Sequence, residues 1–136
     1  MKKIVILSFF IILLCFMSAC NKQETKIVML PDAQEIEYMY VVVGDECKTI
    51  EDKEQIKLIL SELSNAEISN LQSLNDTPQT ESYIKITFET SKGISSNTVY
   101  LYEKEYKFYL EQPYHGIFKI KENTYNRIID AINKGD

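Results

Sequence analysis

The chain has few of the residue types that mark catalytic and metal sites. Among its 136 residues there is one histidine, His115, and there are three cysteines, none at a recognisable catalytic or metal-binding spacing. The acidic residues of the first half lack the Asp-x-Asp-x-Asp-Gly spacing of a calcium loop. Internal repeats and low-complexity segments are absent as well. Because enzymes usually show clustered catalytic residues, we expect a protein that is not an enzyme and that uses no cofactor and no metal.

Cysteine is also too scarce for a disulfide framework. Cys15 lies in an apolar leader and Cys20 directly follows that leader, which leaves Cys47 alone in the rest of the chain. A lone thiol cannot form an internal disulfide, so the fold depends on burial of apolar side chains. We expect Cys47 to be a small buried residue at a strand end. The alternative is a nucleophile paired with His115 in an exported enzyme, for which no local signature exists.

Residues 1–19 have the layout of a secretory signal. Lys2 and Lys3 are followed by an apolar run from Ile4 to Phe16 and then by small residues. The run is shorter than the roughly 20 residues that a membrane-spanning helix needs. The sequence therefore predicts a cleaved leader, with an uncleaved signal anchor as the alternative.

The end of the leader, Met-Ser-Ala-Cys, resembles the lipobox of bacterial lipoproteins, with Met17 where leucine is usual. The resemblance implies cleavage between Ala19 and Cys20 and attachment of a diacylglyceryl group to the Cys20 thiol. Two acyl chains would anchor the protein stably, with residues 20–26 as a lipidated tether. We therefore expect the protein at the extracytoplasmic face of the cell membrane.

The charge balance is acidic. The formal net charge is −5 and becomes −7 when Lys2 and Lys3 leave with the leader. Together with export, this balance argues against nucleic acid as a partner and favours a cationic one, such as a cationic peptide or a membrane protein, on encounter rate. Composition leaves the oligomeric state open.

Residues 27–136 are enough for one domain and too few for two. Alternating apolar residues predict strands within 35–43, 83–89, 98–102, 106–110 and 117–120. Helical spacing predicts helices at 52–63, with Asp52 and Gln55 as a capping box, and at 122–133. The order β-α-β-β-β-β-α predicts an α+β two-layer sandwich, an antiparallel meander sheet with both helices on one face.

Two further predictions concern which faces are buried. In the first strand, Ile36, Tyr38, Tyr40 and Val42 share one face. In the meander, alternation places a set of tyrosines opposite the core residues, where they form either an exposed binding patch or cross-strand pairs that stiffen the sheet; this set is Tyr83, Tyr100, Tyr102 and Tyr109.

The stretch EQPYHGIFKI, residues 111–120, follows an aromatic-rich hairpin. Pro113 is expected to end a strand, and Gly116 is expected to supply a positive φ as the chain re-enters the sheet. The pattern Glu-x-Pro-Tyr-x-Gly-Ile-aromatic resembles an uncharacterised family of small bacterial lipoproteins and cell-surface domains, typical of Gram-positive bacteria. The resemblance implies the fold boundaries and no activity.

Two interpretations of this stretch stay open. In the first it is a rigid corner made by Pro113 and Gly116. In the second it presents side chains for recognition, since loops carry function disproportionately; the candidate surface is Tyr100, Tyr102, Tyr109, Glu111, Tyr114 and His115.

The preferred function is a lipid-anchored module that binds a peptide, a wall component or a membrane protein. An immunity-type lipoprotein that sequesters a cationic peptide is a narrower version. An exported enzyme and an accessory subunit of a membrane complex are the alternatives.

Overall fold

The computed structural model describes residues 26–91 and 97–134. The predicted leader, the cleavage site at Ala19 and the lipidation site Cys20 lie outside these ranges. In these two ranges nine elements follow one another: β1 (Ile36–Val43), β2 (Glu46–Ile50), α1 (Lys53–Leu63), β3 (Glu67–Ile68), β4 (Ile84–Thr90), β5 (Asn97–Lys104), β6 (Lys107–Gln112), β7 (Gly116–Ile120) and α2 (Glu122–Asn133). Within the described residues, neither helix is long and apolar enough to cross a membrane.

The strands form one antiparallel sheet in the order β2-β1-β4-β5-β6-β7-β3. Its front face carries the alternating apolar residues of β1 and β4–β7, and the apolar stripes of α1 and α2 pack into the same core cluster. The predicted α+β class, with an antiparallel sheet and two helices, is confirmed. The order differs by two strands that periodicity did not reveal, the five-residue β2 and the two-residue β3.

The helices hold each other by polar contacts at both ends. Asp52 caps α1, since its Oδ1 accepts the Gln55 backbone N–H at 2.7 Å. The predicted capping box is only half formed, because the Gln55 side chain donates instead to the carbonyl oxygens of Ala131 and Lys134. Farther along, Arg127 donates two hydrogen bonds of 2.8 and 2.9 Å to Glu62. Gln55 therefore joins the helices rather than closing its own turn.

The prediction that one set of alternating residues shares a single face along the whole of β1 is wrong. The pairing of β1 with β4 shifts between Ile36 and Tyr38, as a β-bulge does. Beyond the shift Met39 and Val41 are buried in the core, whereas Tyr40 is exposed. Strict alternation across the shift is therefore wrong, because one extra residue turns the rest of the strand over.

Strand β2 corrects the prediction for Cys47. Gly44, at φ +58°, and Asp45 form a turn after β1, and β2 returns beside it. Cys47 lies on this edge strand and is exposed. An edge strand has only one neighbour, so a small residue in it is covered less than periodicity suggests.

The hairpin between β5 and β6 has a two-residue turn of unusual composition. Glu105 and Tyr106 both have positive φ, 53° and 60°, which is the pattern of a type I′ turn, where asparagine and glycine are strongly preferred. Tyr106 is also 94% exposed. A bulky exposed side chain thus occupies a left-handed backbone position without compensating packing.

We expect the double substitution Glu105→Asn and Tyr106→Gly to raise the free energy of unfolding by about 1 kcal/mol, because glycine removes the steric cost of the left-handed conformation. Urea unfolding followed by circular dichroism measures the change. Tyr106→Ala is the matched control, since it removes the ring and keeps the Cβ. An equal gain from alanine would show that backbone conformation is not the cause.

Candidate ligand cleft and the turn beside it

The tyrosine-bearing back face of the sheet is buried. Tyr100, Tyr102, Tyr109 and Glu111 are only 4–9% exposed. The prediction that these four side chains form an exposed surface is therefore wrong. They do share one face, and Tyr102 and Tyr109 are directly paired across β5 and β6.

The cover is the long connection between β3 and β4, residues 69–83. The Ser69 hydroxyl donates to the Ile117 carbonyl oxygen, and the Ser73 hydroxyl donates to Glu111 Oε1 at 2.7 Å. At its far end the Tyr83 ring meets the Tyr100 ring edge to face, with centroids 5.1 Å apart. A segment without periodicity thus forms a second layer over the sheet.

Glu111 is the central polar group beneath this cover. Its Oε1 accepts the Ser73 hydroxyl, and its Oε2 accepts the Tyr102 hydroxyl at 3.1 Å. The Tyr102 ring stacks on Tyr109 with centroids 5.5 Å apart. Two hydroxyl donors satisfy part of the carboxylate, which offers about four acceptor positions.

Between the connection and the sheet lies a cleft of about 410 Å³. Its lining combines Glu111, two tyrosines and several side-chain amides, with charged residues at one side: Gln72, Asn75, Gln79, Tyr102, Lys104, Glu105, Tyr109 and Glu111. Lys104 stands four residues along β5 from the position paired with Glu111, which is roughly 13 Å in a strand. In the described parts of the chain, no lysine or arginine forms an ion pair with Glu111.

The surroundings of Glu111 raise the pKa of two tyrosines. Burial is the main cause of the raised pKa of Tyr102, followed by the Glu111 charge and by the hydrogen bond to it. Burial also leads for Tyr100, with Tyr83, Asp76 and Glu111 adding to the upward shift of its pKa. Ionising either hydroxyl would place a second negative charge near the Glu111 carboxylate at a largely buried position.

This predicts alkaline destabilisation. Below the ordinary tyrosine pKa of 10.0, Tyr102 is protonated in both states and contributes no pH dependence. Above it the unfolded chain loses the proton that the folded chain retains, so the free energy of unfolding falls as pH rises, by at most about 1.4 kcal/mol per pH unit for each such tyrosine. Denaturant unfolding between pH 8 and 11 measures the slope. Tyr102→Phe should reduce the slope, and an unchanged slope in that variant would contradict the assignment.

The Glu-Gln-Pro-Tyr-His-Gly stretch forms the turn between β6 and β7. The His115 N–H donates to the Gln112 carbonyl oxygen at 3.0 Å, and Tyr114 has φ +59°. Proline second and a positive φ third is the pattern of a type II turn. The positive φ therefore belongs to Tyr114, and the expectation that Gly116 supplies it is wrong. Pro113 does follow the last residue of β6.

The side chains of this turn hold the N-terminal segment. The Gln112 amide pairs with the Met29 backbone, accepting its N–H at 3.0 Å and donating to its carbonyl oxygen at 2.8 Å. His115 Nε2 lies 2.7 Å from the Ile27 carbonyl oxygen, and the His115 ring stacks on Phe118. The stretch thus holds residues 27–29 against the sheet through hydrogen bonds.

Tyr114 holds the other irregular segment. Its hydroxyl donates to Asp76 Oδ1 at 2.9 Å, which raises the pKa of Tyr114. Tyr114 and His115 therefore lie apart from the Tyr102–Tyr109 pair, at the end of the sheet. His115 instead lines a separate cleft of about 380 Å³ with Tyr100, Asp76 and Met29.

Comparison with known proteins places the chain. The family DUF5301, described as "Domain of unknown function (DUF5300)", matches residues 21–119. The chain belongs to this family. A solved structure described as "NMR structure of the protein from Ruminococcus gnavus" is 31% identical, with a TM-score of 0.60 over 72% of this chain and 98% of that one. No curated protein matches.

The match bears out the expectation of an uncharacterised family. The matched residues, 21–119, include residues 27–29, the back face of the sheet, the turn at Pro113 and nearly all of β7. Gln112, Ser73, Met29 and Asp76 were missed by sequence reasoning. Their roles depend on hydrogen bonds between residues 38 to 83 positions apart, which no local pattern records.

The DUF5301 fold separates Cys47 from His115. Cys47 is on edge strand β2 and His115 follows β6, four strands across the sheet, which is roughly 19 Å at about 4.8 Å per strand. The two residues line different clefts. The thiol–imidazole pair considered from the sequence is therefore not formed. Within residues 26–91 and 97–134, no three His, Cys, Asp or Glu residues gather as metal ligands do.

Proposed function

We propose that this DUF5301 protein is a lipoprotein, anchored through Cys20 at the extracytoplasmic face of the cell membrane, and that it binds a cationic group without catalysis. The group would be a lysine or arginine side chain of a peptide or of a neighbouring membrane protein. The observation that carries the binding proposal is the Glu111 carboxylate, buried in the cleft beneath residues 69–83.

The cleft chemistry supports a cation. A buried carboxylate attracts an ammonium or guanidinium strongly, because the surrounding dielectric is low. The stacked pair Tyr102–Tyr109 adds aromatic rings, whose faces attract cations. Amide oxygens of Gln72, Asn75 and Gln79 supply further acceptors along the lining.

Charge and anchoring support the same partner. The net charge would be −7 after loss of the leader, which favours encounter with cations. The sequence Met-Ser-Ala-Cys at the end of a short apolar leader supports the anchor. An immunity-type role, sequestering a cationic peptide near the bilayer, is the narrower form of this proposal.

The binding experiment uses the lipidated full chain in neutral phosphatidylcholine vesicles, with fluorescein-labelled hexalysine as the probe and anisotropy as the readout. We expect Glu111→Gln to weaken binding at least tenfold, since a buried charge pair contributes on the order of 2 kcal/mol or more. Glu105→Gln removes the same charge at the side of the cleft and is the matched control. Its effect should be under twofold and should vanish at high salt.

Equal weakening by the two variants would show that hexalysine senses only the net charge, and the cleft would then not be its site. Circular dichroism of both variants checks the fold.

The anchor has its own test: mass measurement of the protein purified from bacterial membranes should show the loss of residues 1–19 and added acyl mass. Cys20→Ala should release the protein from the membrane fraction.

A further inference from the structure

One end of the sheet exposes a group of apolar side chains. This end, here called the Pro113 end, carries the turn Pro113–His115. Ile27, Met29, Leu74 and Tyr114 are 57–69% exposed there. Val28 and Leu30 alternate with the first two and pack toward the core, so the same segment turns Ile27 and Met29 outward.

Hydrogen bonds with His115, Gln112, Tyr114 and Glu111 hold the chain segments that carry these four side chains. His115 contacts the Ile27 carbonyl oxygen, and Gln112 pairs with the Met29 backbone. Tyr114 binds Asp76, and Leu74 lies between Asp76 and Ser73, which is tied to Glu111. The opposite end of β6 carries the Glu105–Tyr106 turn, where Tyr106 is a single exposed ring.

The preceding chain also leads to the Pro113 end. The Lys26 side chain lies against Gly116, with its Cδ 3.9 Å from where a Cβ of that residue would stand. Lys26 is six positions after Cys20 along the chain, a span of at most about 20 Å. A lipid on Cys20 would therefore hold this end, rather than the Tyr106 end, close to the bilayer.

We propose that the Pro113 end rests in the interfacial region of the bilayer, with Ile27, Met29, Leu74 and Tyr114 in contact with lipid. The inference rests on the lipid anchor proposed above. Tyrosine beside aliphatic side chains is the composition that membrane interfaces favour. Asp76 accepts a hydrogen bond from the Tyr114 hydroxyl, and Lys26 adds a cation beside anionic lipid. The lining of the Glu111 cleft includes Lys104 and Glu105, beside the turn at the end of β6 that faces away from the bilayer in this orientation.

The chain contains no tryptophan, so single-tryptophan variants report depth directly. Tyr114→Trp places the probe at the Pro113 end, and Tyr106→Trp is the matched control at the other turn. Both residues are exposed and both have positive φ. In the lipidated full chain, reconstituted in phosphatidylcholine–phosphatidylglycerol vesicles with brominated acyl chains, we expect at least threefold stronger quenching at position 114 than at 106.

Leu74→Trp is the second probe in case Tyr114→Trp perturbs the turn, and it should be quenched as strongly as position 114. Vesicle-bound protein with equal, weak quenching at 74, 114 and 106 would overturn the inference and leave this end for a protein partner or a second copy. Protein that lacks acyl mass and does not float with vesicles would instead contradict the anchor. Flotation and mass measurement thus separate the two failures.

Discussion

Replacing Phe118 by alanine is expected to lower the free energy of unfolding by about 3–5 kcal/mol. Phe118 is 1% exposed in the centre of β7 and belongs to the core cluster shared by the sheet and both helices. Its ring also stacks on His115 and lies 3.5 Å from where a Cβ of Gly116 would stand. The substitution would leave a cavity and remove the support of the turn. A domain of this size has about 5–15 kcal/mol in total, so the variant is expected to be marginal.

Urea unfolding measures the loss, and Ile68→Ala is the matched control. Ile68 is paired with Phe118 across β3 and β7 but is 45% exposed, so its truncation should cost under about 1 kcal/mol. A similar cost for both residues would mean that β3, rather than the core, stabilises β7.

Hydrophobic periodicity in the sequence predicted the strands and helices that bury one of their faces in the core. Ile84, Ile86 and Phe88 alternate in the sequence and are all buried in β4, and Ile56, Ile59, Leu60 and Leu63 form the buried stripe of α1. The front face and the α+β class follow from such patterns, because a water-avoiding face must find a partner layer.

The back face could not be predicted in the same way. Tyr100 and Tyr102 are placed correctly opposite the core, yet alternation cannot say whether water or protein covers them. The cover is a polar, aperiodic segment held by contacts such as Ser73 with Glu111. Likewise the shift at Ile36 arises from the pairing of β1 with β4, and the positive φ of the β6–β7 turn lies at Tyr114 although a glycine stands two residues later.

Replacing Gln112 by alanine is the second large effect. The Gln112 side chain is 7% exposed and imitates a strand neighbour, because its amide accepts from and donates to the Met29 backbone. Alanine removes both hydrogen bonds and leaves the Met29 N–H and the Met29 carbonyl oxygen without the Gln112 side chain as a partner. We expect the free energy of unfolding to fall by about 1–3 kcal/mol. Hydrogen exchange of the Met29 amide should accelerate by at least tenfold, since it loses its acceptor.

Gln112→Glu separates the contributions of the two hydrogen bonds between Gln112 and the Met29 backbone. A carboxylate keeps an acceptor for the Met29 N–H and loses the donor to the Met29 carbonyl oxygen, so the amide should stay protected while stability falls by an intermediate amount. Val28 and Leu30 are expected to pack against the core in both variants as they do in the unaltered chain. The change is therefore confined to the hydrogen bonds between Gln112 and Met29. Unchanged Met29 exchange in Gln112→Ala would mean that this apolar packing, and not the amide pair, fixes the segment. The glutamine of the turn would then be a passive neighbour of the N-terminal chain.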